Sequence, residues 1–313
     1  MKPVLVSEVS HFFNAKFIGN DFLIEGFSTL LKAKEKEISF FLNASFLEYK
    51  NSRASVLFVP KNFSFEPFGK TLIYVDNPYD AMVLFLKHFH LPFVRFDAPF
   101  ISKNAKVHKT AIVEGYVDDE AEIGPYVYIG QGSHIGKQTR IDAHATIYPN
   151  VFIGNFCEVQ AGAVIGSRGF GFYECNGVRH KVPHVSGVHI SDNSSVGANS
   201  VIASGFLFPT TIGEHSHLDS FVQIGHNCIV GNHVYMASES ALAGSTVVGD
   251  YVEFAGSAKA SGHLTIGNHV KIAAKAGVTK NIPDNRVVAG FPAEEISLWR
   301  KSVIALKKIA KNL

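Results

Sequence analysis

From Leu218 to Val278 an apolar or small residue returns at every sixth position: Leu218, Ile224, Val230, Met236, Leu242, Val248, Phe254, Ala260, Ile266, Ile272 and Val278. A helix repeats at about 3.6 residues and a half-buried strand at about 2, so neither produces this spacing. A period of six is the mark of a parallel β-helix. Each hexapeptide supplies one short strand and one corner, and three hexapeptides close a triangular coil. Small residues often follow the inward one, as in Ile224-Gly225, Val230-Gly231, Val248-Gly249 and Ile266-Gly267, which suits tight corners.

The register begins near Ile101, with Val107 and Val113 following. It slips once, then runs unbroken through Val117, Ile123, Ile129, Ile135, Ile141, Ile147, Ile153, Val159 and Ile165. It stops until Ile190, and the interruption at 166–189 carries Gly169-Phe170-Gly171-Phe172. Glycine and aromatics in a loop thrown out of a regular coil predict a functional excursion. After Ile190, Val196 and Ile202 a second slip falls at Phe208-Pro209-Thr210-Thr211, and the register locks again from Ile212.

Residues 1–97 lack the repeat and predict a small α/β domain. Ser7 is expected to cap a short helix with Val9, Phe12 and Phe13 inward. Runs around Phe22–Ile24, Ile38–Leu42, Ser55–Val59 and Thr71–Val75 read as strands. Asn77-Pro78 reads as the cap and first turn of a helix through Leu86. Leu91-Pro92-Phe93 to Pro99-Phe100 reads as a linker, and the β-helix domain spans 98–290. At 291–313, Phe291-Pro292-Ala293 leads into a helix with Ile296, Trp299, Val303, Leu306, Ile309 and Leu313 on one stripe. Its other face carries Arg300, Lys301, Lys307, Lys308 and Lys311. A basic amphipathic helix of this kind suits sister subunits or an acidic protein.

Composition changes this picture little. The low charged fraction, 18%, and the 27 glycines fit a solenoid with apolar inward positions and tight corners. A net charge near +2 argues against a nucleic-acid partner. The three cysteines, with no CxxC, read as reduced thiols of a cytoplasmic chain. No apolar run is long enough to span a bilayer, and the N-terminus does not read as a signal peptide. Triangular prisms can associate about a threefold axis, leaving equivalent clefts between neighbours.

The candidate chemistry lies inside the register. His226, in Gln223-Ile224-Gly225-His226-Asn227, can act as a general base on an amine or hydroxyl attacking a carbonyl. Asp219 is the candidate to orient its other ring nitrogen. Coil stacking places Gly244 beside His226, where its N–H could meet an oxyanion. His263 falls two coils further along the same side. His134, His144, His233 and His269 occupy comparable corners, so position alone does not distinguish His226.

Several motifs together resemble the UDP-3-O-acylglucosamine N-acyltransferases of lipid A biosynthesis over nearly the whole chain. They are Gln223–Asn227, Ala243-Gly244-Ser245-Thr246, Ser261–Gly267, Gly277–Lys280, Gly290–Ala293, Gly169–Phe172 and Ile38-Ser39-Phe40. The resemblance implies a left-handed parallel β-helix assembled as a homotrimer. It also implies transfer of a 3-hydroxyacyl chain to the 2-amine of a UDP-3-O-acyl-glucosamine. The acyl donor would be carried on the phosphopantetheine of acyl carrier protein, with no permanently bound cofactor and no metal. It implies His226 as base, the Gly244 N–H as oxyanion donor, and His263 orienting substrate. Asn227, Phe170 and Phe172 would line the substrate site, and Phe40, Asn43 and Phe46 would hold the uracil. One stretch departs from the family: Ala203-Ser204 replace its usual Asp-Arg. Two other readings stay open: an acetyl-coenzyme A-dependent N-acyltransferase on another sugar nucleotide, and a non-catalytic nucleotide-sugar-binding solenoid.

Overall fold

The computed structural model describes residues 2–90, 98–175, 177–290 and 296–311. The linker expected from Leu91, the Phe291-Pro292-Ala293 turn and the Trp299 and Leu313 side chains lie outside the described residues.

The six-residue period becomes three parallel sheets with 9, 9 and 10 strands. Chain order visits them in rotation, as faces I, II and III. Gln223–Ile224 lies on face I, Ile229–Val230 on face II and Tyr235–Met236 on face III. Neighbours in each sheet come from successive coils: Ile224 pairs with Leu242, and Leu242 with Ala260. The apolar residue of each hexapeptide points inward, and Ile224, Val230, Met236, Leu242 and Val248 are all buried in one continuous core. Burying each such side chain contributes about 1.5–3 kcal/mol, so a column of them stabilises a sheet whose strands are only two or three residues long. Most corners place one residue in the left-handed region whether or not it is glycine, among them Asn227, Ser245 and His263.

Both interruptions fall at the corner between faces I and II, in successive coils. The first leaves face I after the strand Val164–Ser167 and returns to face II at Val188–Ile190. Between them it forms an antiparallel hairpin of Phe172–Cys175 with Val178–Lys181. The second lies between Val201–Ala203 and Thr210–Ile212. His226 follows at the same corner one coil later, because Ile202 pairs with Ile224.

The N-terminal domain is a five-stranded sheet in the order Phe17–Ile18, Thr71–Val75, Val56–Pro60, Glu37–Phe40, Gly26–Phe27, parallel except at its first pair. Helices α1 (Val6–Phe12), α2 (Phe46–Asn51) and α3 (Pro78–Phe85) accompany it. Asn77 caps α3 as expected, its side chain accepting from Tyr79 N (2.9 Å) and Asp80 N (3.3 Å). Ser7 does not cap α1. It lies inside the helix, which begins after Leu5, and its amide donates to Asp21 instead. A capping box, Ser45 with Glu48, starts α2. This domain rests on both interruptions, for Val185 of the first and Phe206 and Leu207 of the second join its core.

Helix α4 covers Ile296–Lys311, and Ile296, Leu306 and Ile309 are exposed. Among the described residues no helix is long and apolar enough to cross a membrane.

Candidate active site

Asn227 is the fixed point of the site. It is buried, and its Oδ1 accepts the Phe206 N–H at 3.1 Å while its Nδ2 donates to the Phe208 carbonyl at 3.1 Å. Those two bonds determine which end of the amide is oxygen. His226 Nδ1 lies 3.1 Å from that same Oδ1 and must therefore carry a proton. Its Nε2 is left with the lone pair, the form a general base requires. The tautomer follows from this network rather than from any observed hydrogen.

Nε2 faces Gly244. A Cβ built on Gly244 would lie 2.7 Å from Nε2 and 2.8 Å from Cε1, so only glycine admits the ring here. The Gly244 N–H has no partner among the described residues, whereas its carbonyl accepts from His263 N at 3.1 Å. A base nitrogen and a free amide N–H thus occupy adjacent levels of one corner, the pairing needed to remove a proton and hold a developing oxyanion.

The excursion closes over this corner. His184, buried, packs its ring 4.5 Å from that of His226 at a 51° tilt. Burial, reinforced by His226, pushes His184 down to about 4. A Cβ on Gly169 would sit 2.6 Å from His226 Cβ and 2.7 Å from His184 Cδ2, and one on Gly171 would sit 2.7 Å from His184 Cε1. The glycines of the Gly-Phe-Gly-Phe stretch are therefore packing requirements of the two imidazoles. Phe170 projects outward, 88% exposed, and packs edge-to-face on Phe172 at 5.0 Å. Both line a cavity of about 410 Å³ with Lys87, Arg168, Lys181 and His184.

The departing stretch proves to hold this loop. Ser204 is buried; its hydroxyl accepts the Gly187 N–H (2.9 Å) and reaches the His184 carbonyl (3.3 Å).

The expected pairing of Asp219 with His226 is not formed within the chain. Asp219 ends a face III strand, where its carboxylate accepts from Ser220 N (2.7 Å) and Ser238 N (3.1 Å). It lines a separate groove of about 550 Å³. The reason is the coil itself: residues 219 and 226 straddle face I and sit at different corners. His263 shares the corner of His226 but is shifted one place. It occupies the left-handed position above Ser245, is exposed, and Gly262 takes the level of His226 and Gly244.

Phe40 and Phe46 serve different neighbourhoods. Phe40 packs edge-to-face on Tyr79 at 5.6 Å, whereas Phe46 packs on Phe65 and Phe68 at 5.1 and 5.8 Å. Asn43, exposed in the left-handed region, turns the chain between them. Tyr79 continues inward to Phe206 (5.9 Å), which contacts His184 (6.4 Å). A row of rings thus runs from Phe40 to His226. Sequence reasoning missed Tyr79 and His184, which come from segments outside the register, and marked Ser204 only as a departure, without its tie to the excursion.

The other corner histidines have structural partners. His144 stacks on Tyr126. His134, expected at a corner, lies instead in the face II strand His134–Ile135, where it pairs with Asp118 at 2.8 Å. His233 and His269 stack on Tyr251, at 4.6 and 5.0 Å.

Comparison with known proteins agrees with this architecture. The family description UDP-3-O-(3-hydroxymyristoyl) glucosamine N-acyltransferase (LpxD) matches residues 21–88, and the bacterial transferase hexapeptide description matches residues 209–244. A UDP-3-O-acylglucosamine N-acyltransferase of Rickettsia akari is 32% identical, over 94% of this chain and 89% of its own. The Rickettsia conorii enzyme of the same name is 34% identical with the same coverage. That of Helicobacter pylori is 33% identical over 67% of this chain and 66% of its own. Among solved structures, a Francisella novicida UDP-N-acetylglucosamine acyltransferase superposes with a TM-score of 0.52 at 26% identity, covering 65% of this chain and 73% of that one. Matched at both its N-terminal domain and its solenoid, and related along nearly its whole length, the chain belongs to the UDP-3-O-acylglucosamine N-acyltransferase family.

Proposed function

We propose that this protein transfers a 3-hydroxyacyl chain from acyl carrier protein to the 2-amine of a UDP-3-O-acyl-glucosamine. The observation that carries the reading is the His226–Gly244 corner, where a lone-pair nitrogen stands beside an unpaired amide N–H. The amine attacks the thioester carbonyl as His226 Nε2 takes its proton. The carbonyl oxygen becomes an oxyanion, which the Gly244 N–H receives. Collapse expels the thiolate of the donor arm, to which His226 returns the proton. Atoms and charge balance with the amide and the free thiol as products.

In this reading Phe170, Phe172 and the cavity beside His184 receive substrate. Phe40, Asn43 and Phe46 hold the uracil, with stacking worth about 1–3 kcal/mol per base. His263, at the rim of the same corner, orients the substrate. The working assembly is a homotrimer, and the exposed apolar stripe and lysines of α4 meet sister copies or the acidic carrier protein. Asp219 stands outside the His226 corner of its own chain, its carboxylate held by Ser220 and Ser238.

The test offers a UDP-3-O-acyl-glucosamine a panel of acyl carrier protein thioesters and, separately, acetyl-coenzyme A, and follows product by mass spectrometry. Amide product with a hydroxyacyl carrier protein alone is expected. Product from acetyl-coenzyme A alone, or sugar-nucleotide binding without product from any donor, overturns the reading.

A further inference from the structure

We propose that His184 is a positioning residue for the base: its ring, held by the excursion, clamps His226 in the orientation that aims Nε2 at Gly244. The inference rests on the reading of His226 as the base.

His226 is gripped from two directions. On one side Asn227 Oδ1 takes its Nδ1 proton. On the other lies the His184 ring, 4.5 Å between centroids. A clamp works only if its own parts are fixed, and each of these is. The His184 ring edge rests on Gly169 and Gly171, where even a methyl group would collide with it. Its main chain is tied through Ser204, which bonds the His184 carbonyl and the Gly187 N–H. Two residues further on, the Phe206 N–H bonds the Asn227 Oδ1 that holds His226. One short segment, 204–206, therefore fixes both sides of the grip. Phe206 also packs against the His184 ring at 6.4 Å.

Chemically, His184 is suited to packing and unsuited to proton transfer. Its Nδ1 is buried with no hydrogen bond of ordinary geometry among the described residues, although the Val182 backbone acts on the ring to favour its protonated form. Burial holds the ring neutral at ordinary pH, so it places no charge beside a proton arriving on His226. The titratable group facing it is His226, while Lys87, Arg168 and Lys181 share the adjoining cavity.

The experiment compares wild type with His184→Ala, His184→Phe and Ser204→Ala in the full-length protein. Steady-state kinetics are paired with deuterium uptake at the C2 carbon of the His226 ring, read by mass spectrometry. His184→Ala is expected to lower kcat about tenfold to 10²-fold with little change in KM, the scale of a misaligned catalytic group. C2 exchange at His226 should rise in the same variant. His184→Phe, which keeps a flat ring without its nitrogens, should restore most of both. Ser204→Ala should shift both in the direction of His184→Ala, by less, and it keeps the inference testable if His184→Ala fails to fold. Unchanged kcat and exchange in His184→Ala and Ser204→Ala overturn the inference, as does a His184→Phe as impaired as His184→Ala. A wild-type protein that makes no amide sinks the acyl-transfer reading instead, and the exchange measurement still reports on the clamp.

Discussion

Two corners of the same coil are built alike and end up doing different things. After face II, nearly every coil closes its corner with an asparagine or aspartate. The Lys137, Asn155, Glu214, Asn232, Asp250 and Asn268 amides each donate to the side chain of the Asn or Asp at the same level of the next coil. The glycines that precede them, such as Gly231 and Gly249, leave room for those side chains. The stacked rings of His215, His233, Tyr251 and His269 seal the outside of this corner. After face I, the equivalent level holds His226, Gly244 and Gly262, and none of their amides has a partner among the described residues. The asparagine and aspartate ladder saturates the corner after face II, whereas the amides at the level of His226 stay open, as do those of Ala143, Gly256 and Ala274 after face III. What differs after face I is that an imidazole stands beside the open amide. Gly244 is half-buried, so its open amide alone does not mark the corner; the pairing of that amide with His226 Nε2 does.

The comparison can be broken in several places, and the largest effect belongs at His226. His226→Ala is expected to lower kcat by about 10²–10⁴, the loss typical of a general base, while the thermal midpoint stays near that of wild type. Gly244→Ala comes next. The added methyl would meet His226 Nε2 at 2.7 Å and push the ring aside. Turnover should fall by about 10², comparable to the loss of an oxyanion donor.

Asn227→Ala removes the acceptor of His226 Nδ1 and of the Phe206 amide together. It should lower both kcat and stability, the latter by about 1–3 kcal/mol in denaturant titration, because a buried donor is left unpaired.

A smaller effect concerns pH. In the unfolded chain His184 takes up a proton near 6.5, whereas in the folded site it does so only near 4. Between those values the unfolded state binds more protons, so stability falls as pH falls through that window and is unaffected above it. Melting curves should show this loss in wild type and less of it in His184→Phe.

The smallest effect is predicted at the closed corner. Asp250→Ala takes the acceptor from the exposed Asn232 amide, which water can replace. It should cost about 0.5–1.5 kcal/mol of stability and leave turnover unchanged.

Much of this contrast was legible in the sequence, and the limits have physical causes. The inward apolar column repeats because one side chain per hexapeptide must fill the core, so Ile224, Leu242 and Ala260 announce the register and its stacking. The same register sets His226 beside Gly244. It cannot place residues that leave it. His184 reaches His226 only because the excursion extends past the next coil to the one beyond it, and no spacing encodes that reach. Ala203-Ser204 read as a loss of charged groups, yet Ser204 is the residue that binds the excursion down. Asp219 was attractive for its closeness in sequence, but two corners of a triangle separate what seven residues of chain connect. Helix α2 escaped notice because its signal is a capping box, Ser45 with Glu48, rather than an apolar stripe.

The central claim is that the open corner holds His226 with its proton on Nδ1 and its lone pair on Nε2, aimed at Gly244. The most direct test is the two-bond ¹H–¹⁵N spectrum of the protein with ¹⁵N-labelled histidine rings, assigned to His226 by its loss in His226→Ala. Wherever the ring is neutral, a protonated Nδ1 and an unprotonated Nε2 are predicted, with that tautomer preference lost in Asn227→Ala. A ring that carries its proton on Nε2 in the wild-type protein would contradict the account.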